Sequence, residues 1–246
     1  MNLVIDIGNT RTKVYLFNGE ELVRVIPLNE FSVRDVEVVL KEYPDLNKAI
    51  VSSVGNYSEE IKRILRDCFP VFMELNAETP LPITNHYQSR DTLGYDRIAA
   101  VVGAHSLYPE ENIVVVDAGS AITYDLITDR GVYLGGNISP GLAMRYKALH
   151  HFTGHLPLIG VKACSELYGT TTETAIRAGV QNGIVYEADK TISLFKEIYK
   201  KLIVIITGGD ANFFAKNLKS SFFVHFNLTG IGLNRILDYN GETYRG

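Results

Sequence analysis

Cysteine is scarce in this chain: Cys68 and Cys164 are the only two among 246 residues, far apart and outside any metal-ligand spacing. That argues against a disulfide framework and a thiolate metal site, and reduced thiols are the expectation. Long apolar runs are missing as well. No stretch of about 18 apolar residues occurs, so no membrane-spanning helix is expected. The apolar start is interrupted at Asp6, which speaks against a secretory signal and makes the cytoplasm the expected compartment. Positive charge is not in excess, with 24 Lys and Arg against 28 Asp and Glu. A net charge of −4 provides no footprint for nucleic acid or an anionic membrane. Low-complexity tracts and long linkers are absent too. With 46% apolar and 21% charged residues, the chain reads as soluble and globular, either one large domain or two half-size ones.

The first informative stretch is Asp6-Ile7-Gly8-Asn9-Thr10, which follows the apolar strand Asn2-Leu3-Val4-Ile5. Such a turn offers backbone N–H groups, and a glycine at position 8 lets a phosphate come close. Asn9 and Thr10 add side-chain hydrogen bonds, Lys13 a positive charge, and Asp6 a place for a metal ion or a metal-bound water. The competing reading is an ordinary hairpin turn.

Along the chain, strands are expected at 2–7, 12–18 and 21–27, with Asn18-Gly19 turning the second hairpin. A helix capped by Ser32 runs to about Tyr43, a strand covers 48–54, a helix 57–68 and a strand 71–75. Ala77 to Thr92, with three turn-makers and Tyr87, reads as a substrate-facing loop or a connector. It leads through Gly94-Tyr95-Asp96-Arg97 into a helix expected from Ile98 to Leu107. Asp96 ahead of that helix has a plain alternative as its cap.

Residues 112–117 then restart the opening theme: an apolar strand ends in Asp117, followed by Ala118-Gly119-Ser120-Ala121-Ile122-Thr123-Tyr124-Asp125. The two turns lie about 110 residues apart and suggest an internal duplication, with halves at 1–110 and 111–246 meeting around a cleft. Further strands are expected at 126–128 and 132–136. A helix follows from Ser139 to about Leu149, then a loop carrying His150, His151 and His155. Their spacing matches no metal-ligand pattern, which favours a plain loop surface. Thr172 precedes the longest helical pattern, with Ile176, Val180, Ile184, Ile192, Phe195 and Ile198 on one stripe. A strand at 202–206 enters the glycine-rich turn Thr207-Gly208-Gly209-Asp210-Ala211-Asn212. This turn opens a helix, whose N-terminus favours phosphate or adenosine contacts. A short strand at 222–226 and a helix over 227–239 complete the pattern.

Three nucleotide-suited turns in a duplicated α/β topology resemble the acetate/sugar kinase–Hsp70–actin superfamily, with Asp6–Lys13 and Asp117–Asp125 as phosphate motifs and Thr207–Asn212 as the adenosine motif. The implied fold is a duplicated ribonuclease H-like (actin-like ATPase) fold of two α/β half-domains. More narrowly, the chain resembles type III pantothenate kinases, on D-x-G-N-T at the N-terminus, G-x-D-R at Gly94–Arg97, and Thr172 followed by an Ile-Arg-Ala-Gly helix. The resemblance implies that Asp6, Ile7, Gly8, Asn9, Thr10, Arg11, Thr12 and Lys13 bind ATP phosphates and that Ser120 contacts ATP. It implies pantothenate contacts from Tyr87, Gly94, Tyr95, Asp96, Arg97 and Thr172, with Asp96 accepting the proton of the attacking hydroxyl. It implies a divalent cation (magnesium) with ATP, a monovalent cation (potassium or ammonium) on Asp117, and a homodimer. The second turn departs from the commoner family form Asp-Met-Gly-Thr-Ala-Thr-Thr, since Ser120 keeps a hydroxyl and Ile122 loses one.

Two other functions compete: a non-catalytic nucleotide- or metabolite-binding regulator, and a phosphatase or nucleotide hydrolase of the same superfamily. The acid set Asp6, Asp96 and Asp117 with Arg97 argues against the regulator, and the organic-acid motif at Gly94–Arg97 against the hydrolase. Fold alone decides neither.

Overall fold

The computed structural model describes residues 1–9 and 11–243. Strands β1 (Asn2–Ile7) and β2 (Thr12–Asn18) pair as an antiparallel hairpin in which Leu3, Ile5, Val14 and Leu16 share one face and Val4, Tyr15 and Phe17 the other. All seven are buried, so both faces require cover. β3 (Glu21–Leu28) pairs antiparallel with β2. The turn between them starts one residue later than expected, at Gly19-Glu20, with Gly19 at φ 60°. β4 (Lys48–Ser53) and β5 (Val71–Glu74) add in parallel, giving the order β3-β2-β1-β4-β5. Helices α1 (Val33–Glu42) and α2 (Glu59–Cys68) cover the first face, where Val36, Val39, Ile61 and Leu65 join Leu3, Ile5, Val14 and Leu16. β6 (Thr84–Asn85) and a 3-10 turn at Arg90–Thr92 give the 77–92 segment its shape.

The second face takes α3 (Tyr95–Leu107) and the C-terminal helix Leu228–Thr243. Both helices cross as nearly bare backbone. A methyl group on Gly103 would stand 2.4 Å from Leu228 O, and one on Gly232 would stand 1.7 Å from Ala99 O. A polar clamp secures the same helix: Lys48 Nζ lies 2.7 Å from Asp238, and Asn2 Nδ2 donates to Asn234 at 2.8 Å.

Two units divide the chain. The first holds Met1–Pro109, Gly131–Tyr133 and the residues from Asn227 onward, and the second holds Glu110–Arg130 and Leu134–Phe226. The split by sequence alone placed all of 111–246 in the second half. The C-terminal helix instead falls with the first unit, where Gly232 packs on Ala99 of α3 and Gly230 on Tyr15 of β2.

In the second unit β7 (Asn112–Ala118) and β8 (Ala121–Ile127) form the antiparallel hairpin, with β9 (Val132–Pro140) next. The first two residues of β9 belong to the first unit and pair with β6. α4 (Leu142–Phe152) and α5 (Thr172–Ile198) follow, then β10 (Leu202–Thr207), α6 (Ala211–Asn217), β11 (Phe223–Val224) and α7, the helix from Leu228. β10 runs parallel to β7 and β11 parallel to β10. The order β9-β8-β7-β10-β11 repeats β3-β2-β1-β4-β5 strand for strand. Val114, Val116, Ile122 and Tyr124 pack with Leu142, Tyr146, Ile176 and Ile184 in one core.

Four local expectations are corrected. Helix α3 begins at Tyr95, three residues early, so Asp96 and Arg97 lie in its first turn. Ser139 and Pro140 end β9 instead of opening a helix. His150 and His151 are helical, because α4 continues until Thr153 Oγ1 bonds back to Leu149 O at 2.6 Å; His155 alone is in the loop. Ile198, at the end of α5, is 72% exposed and off the buried stripe.

Candidate active site

Strand alternation divides the stretch 6–13 into two sets. Asp6 pairs with Lys13 across the hairpin and with Ser52 on β4, so these three side chains share the face that carries α3 and α7. Ile7 and Thr12 point to the α1–α2 side with Val14, and Thr12 is buried there. Asn9 and Arg11 are exposed at the turn, and Thr10 lies outside the described residues. Gly8 N–H donates to Arg11 O at 3.1 Å. This bond closes the turn and occupies the Gly8 N–H, while the missing side chain leaves the backbone open to close approach. Burial pushes the Asp6 carboxyl up to about 6; the charge of Asp96 adds to the rise and Lys13 opposes it. Two acids and one lysine thus share one electrostatic neighbourhood.

Asp96 reaches this neighbourhood from the first turn of α3, where Oδ1 accepts the Arg97 N–H at 2.9 Å. Gly94 caps the helix at φ −59°, an ordinary value, and its lack of a side chain leaves the space that the Asp96 carboxylate fills. Arg97 is buried at 6% exposure, with its guanidinium 5.2 Å from the Tyr87 ring centre and Nη1 3.4 Å from the Tyr87 hydroxyl. Tyr87 in turn stacks on Tyr133, centroids 6.0 Å apart and planes 7° from parallel. An Asn85 side chain holds the Tyr87 N–H at 2.9 Å, and Tyr133 O takes the His86 N–H at 3.0 Å. Sequence reasoning missed Tyr133, since a tyrosine in a strand looks like core; only the Tyr87 stack discloses its position. Tyr95 opens α3 half-buried.

The second unit repeats the turn in a shorter form. Gly119 N–H donates to Ala121 O at 3.0 Å, and Asp117 pairs with Thr123 where Asp6 pairs with Lys13. One fewer residue separates each element of this pair. The turn is enclosed by two other glycines: a methyl on Gly208 would lie 2.5 Å from Asp117 Oδ1, and one on Gly141 would lie 2.2 Å from Gly119 O. Gly208 has φ +92°, accessible to glycine at little cost. Thr123 Oγ1 is buried without a hydrogen-bond partner on the Asp117 face. Ile122 belongs to the core at 1% exposure, so the hydroxyl it lacks has no site to serve there. The Asp210 N–H is spent on Ala118 O at 2.9 Å and the Ala211 N–H on Gly208 O at 3.3 Å, which removes two donors expected at the start of α6. Ser120 is exposed. Thr171, not Thr172, caps α5, with Thr172 as its exposed first residue.

The structure therefore gathers Asp6, Lys13, Tyr87, Gly94, Asp96 and Arg97 in the first unit, and Asp117 and Ser120 in the second, where Thr172 opens a separate helix. Among the described residues no group of three or more His, Cys, Asp or Glu is placed to hold a metal, and no helix is long and apolar enough to cross a membrane.

These features define the class. The fold is the duplicated ribonuclease H-like fold of the sugar kinases and actin-like ATPases. A glucokinase from an Antarctic psychrotroph superposes with a TM-score of 0.54 at 13% identity, over 97% of this chain and 98% of that one. A Campylobacter jejuni protein assigned to the Baf family of transcriptional activators gives a TM-score of 0.64 at 27% identity, over 98% and 99%. Residues 2–194 match the family described as type III pantothenate kinase. A type III pantothenate kinase of Bacteroides fragilis is 48% identical over 240 residues, 98% of each chain. The chain belongs to the type III pantothenate kinase family.

Proposed function

We infer that this chain transfers the γ-phosphoryl group of ATP to the hydroxyl of pantothenate, yielding 4'-phosphopantothenate at the opening of coenzyme A biosynthesis. The family match over residues 2–194 carries the reading, and the Asp6–Asp96 neighbourhood supplies the chemistry. Phosphoryl transfer through a loose transition state asks mainly for positioned phosphates and a positioned acceptor. Asp96, held by the α3 first turn, orients the pantothenate hydroxyl and accepts its proton late. Tyr87, Gly94, Tyr95, Arg97 and Thr172 bind pantothenate, with the Arg97 charge serving its carboxylate. The 6–13 turn and Ser120 bind ATP, Ile7 and Thr12 through backbone groups only.

A divalent cation fits the first turn. A carboxyl raised first by burial and then by a neighbouring acid calls for positive charge, and magnesium takes one or two carboxylates together with phosphate oxygens, so a larger protein cluster is unnecessary. When bound it neutralises phosphate charge. A monovalent cation fits beside Asp117, where the orphaned Thr123 Oγ1 supplies a further oxygen on the same face. Homodimer formation and a cytoplasmic location belong to the same proposal.

The test is coupled ADP release with ATP, magnesium and pantothenate, run in potassium and again in sodium only, beside Asp96→Asn. Pantothenate-dependent turnover that requires potassium and falls at least about 10²-fold in the variant is expected. Nucleotide binding without turnover in the wild type would instead favour the regulator.

A further inference from the structure

A cavity of about 300 Å³ in the first unit is lined by Glu20 from the β2–β3 turn, Ile83, Val102, His105 and Ser106 of α3, and Arg235 of α7, among others. His105 lies nine residues beyond Asp96 on α3, about 14 Å along the helix axis, so this is a separate place from the kinase site. Its polar groups are unspent. Glu20 and Arg235 line the same cavity, yet neither side chain makes an ion pair or hydrogen bond to a described residue, nor to the other. His105 Nδ1 is buried without a partner. The other side of the ring is closed by backbone: a methyl on Gly131 would lie 2.9 Å from Nε2.

Opposite charges on one cavity wall that leave each other unpaired match a ligand that carries both signs. Arg235 offers the planar fork suited to a carboxylate, and Glu20 an acceptor for an ammonium group. Ile83 and Val102 provide an apolar surface beside them. We propose that this cavity binds a small free amino acid with an aliphatic side chain, its carboxylate on Arg235, its ammonium on Glu20, and its side chain against Ile83 and Val102.

The test uses the full chain, with L-valine and L-leucine as probes in saturation-transfer NMR and isothermal titration. Isovalerate, which lacks the ammonium, and isobutylamine, which lacks the carboxylate, serve as half-ligands. The expected result is binding of both amino acids at millimolar or better affinity, with each half-ligand at least about tenfold weaker. Arg235→Met and Glu20→Gln each weaken the amino acids by about tenfold or more, while melting temperature and turnover with pantothenate stay at wild-type values. Absence of binding up to about 20 mM, equal binding of a half-ligand, or unchanged affinity in both variants would overturn the proposal. Because the variants lie outside the kinase site, loss of turnover in the wild type would bear on the kinase reading alone.

Discussion

The Asp96 carboxylate folds back over Gly94, so that a methyl group on residue 94 would lie 2.4 Å from Asp96 Oδ1 and 3.6 Å from Cγ. Gly94 is thus required by space and not by backbone conformation, since its φ of −59° suits any residue. The spacing G-x-D in the motif is the trace of that contact. It fixes the carboxylate on the side of α3 where its charge reaches Asp6.

Replacing Gly94 by Ala forces the Asp96 carboxylate to swing away while leaving the backbone unstrained. We expect kcat to fall by about 10²-fold, the scale on which displacing a positioned catalytic group costs rate, with little change in the KM for ATP. Melting temperature should move by no more than a few degrees. Steady-state kinetics beside a thermal melt check this, and an unaltered kcat would show that Asp96 needs no such placement.

Asp6 makes an unusual contribution to pH dependence. Its carboxyl is raised in the folded chain to about 6, above the ordinary 3.8, so the native state holds this proton more tightly than the unfolded state does. Stability from this group is therefore fully present below pH 4, is lost as pH rises through about 6, and stays lost above it. Asp6→Asn removes a charge that is poorly solvated. The variant should gain about 1–2 kcal/mol over wild type at pH 7.5 and nothing at pH 4, in the absence of nucleotide, a figure reduced for the partial exposure of the residue. Denaturant titrations at the two pH values decide it. ATP turnover should be abolished in the same variant.

Much of this was legible because the physics is local. D-x-G after an apolar strand, alternation in β1 and β7, and the 3.6-residue stripe of α5 each report a backbone shape directly. What stayed hidden depends on distant partners. Gly232 of α7 looks like a weak point in a helix until Ala99 and Gly103 are set against it. Tyr133 reads as a core strand residue, and only the fold puts it under Tyr87. The one-residue difference between the two turns was invisible too, since an ungapped comparison sets Tyr124 opposite Lys13 where the strand register sets Thr123.

At the second turn, Gly208→Ala should be costly twice over. The new methyl would meet Ala118 O at 2.4 Å and Asp117 Oδ1 at 2.5 Å, on a backbone at φ +92° that L-residues rarely adopt. A loss of about 2–4 kcal/mol is expected from strain and overlap together. Relief of the overlap also displaces the Asp117 carboxylate, so the potassium concentration for half-maximal turnover should rise several-fold. A stability loss with unchanged potassium dependence would separate Asp117 from the cation.

The α3–α7 crossing predicts non-additive energetics. Gly232→Ala would drive a methyl to 1.7 Å from Ala99 O, and Gly103→Ala one to 2.4 Å from Leu228 O; both overlaps are with backbone, which cannot rotate aside. Each variant should lose about 2–3 kcal/mol, the upper part of the range for overpacking. The two glycines also touch each other, since the methyl on Gly232 would lie 2.8 Å from Gly103 N. Once either methyl has pushed α7 away, the second finds the gap already open. The double variant should therefore cost at least about 1 kcal/mol less than the sum of the singles. Full additivity in a denaturant-based double-mutant cycle would mean that the helices accommodate each methyl by separate local shifts, and that the close crossing is not what attaches α7 to the first unit.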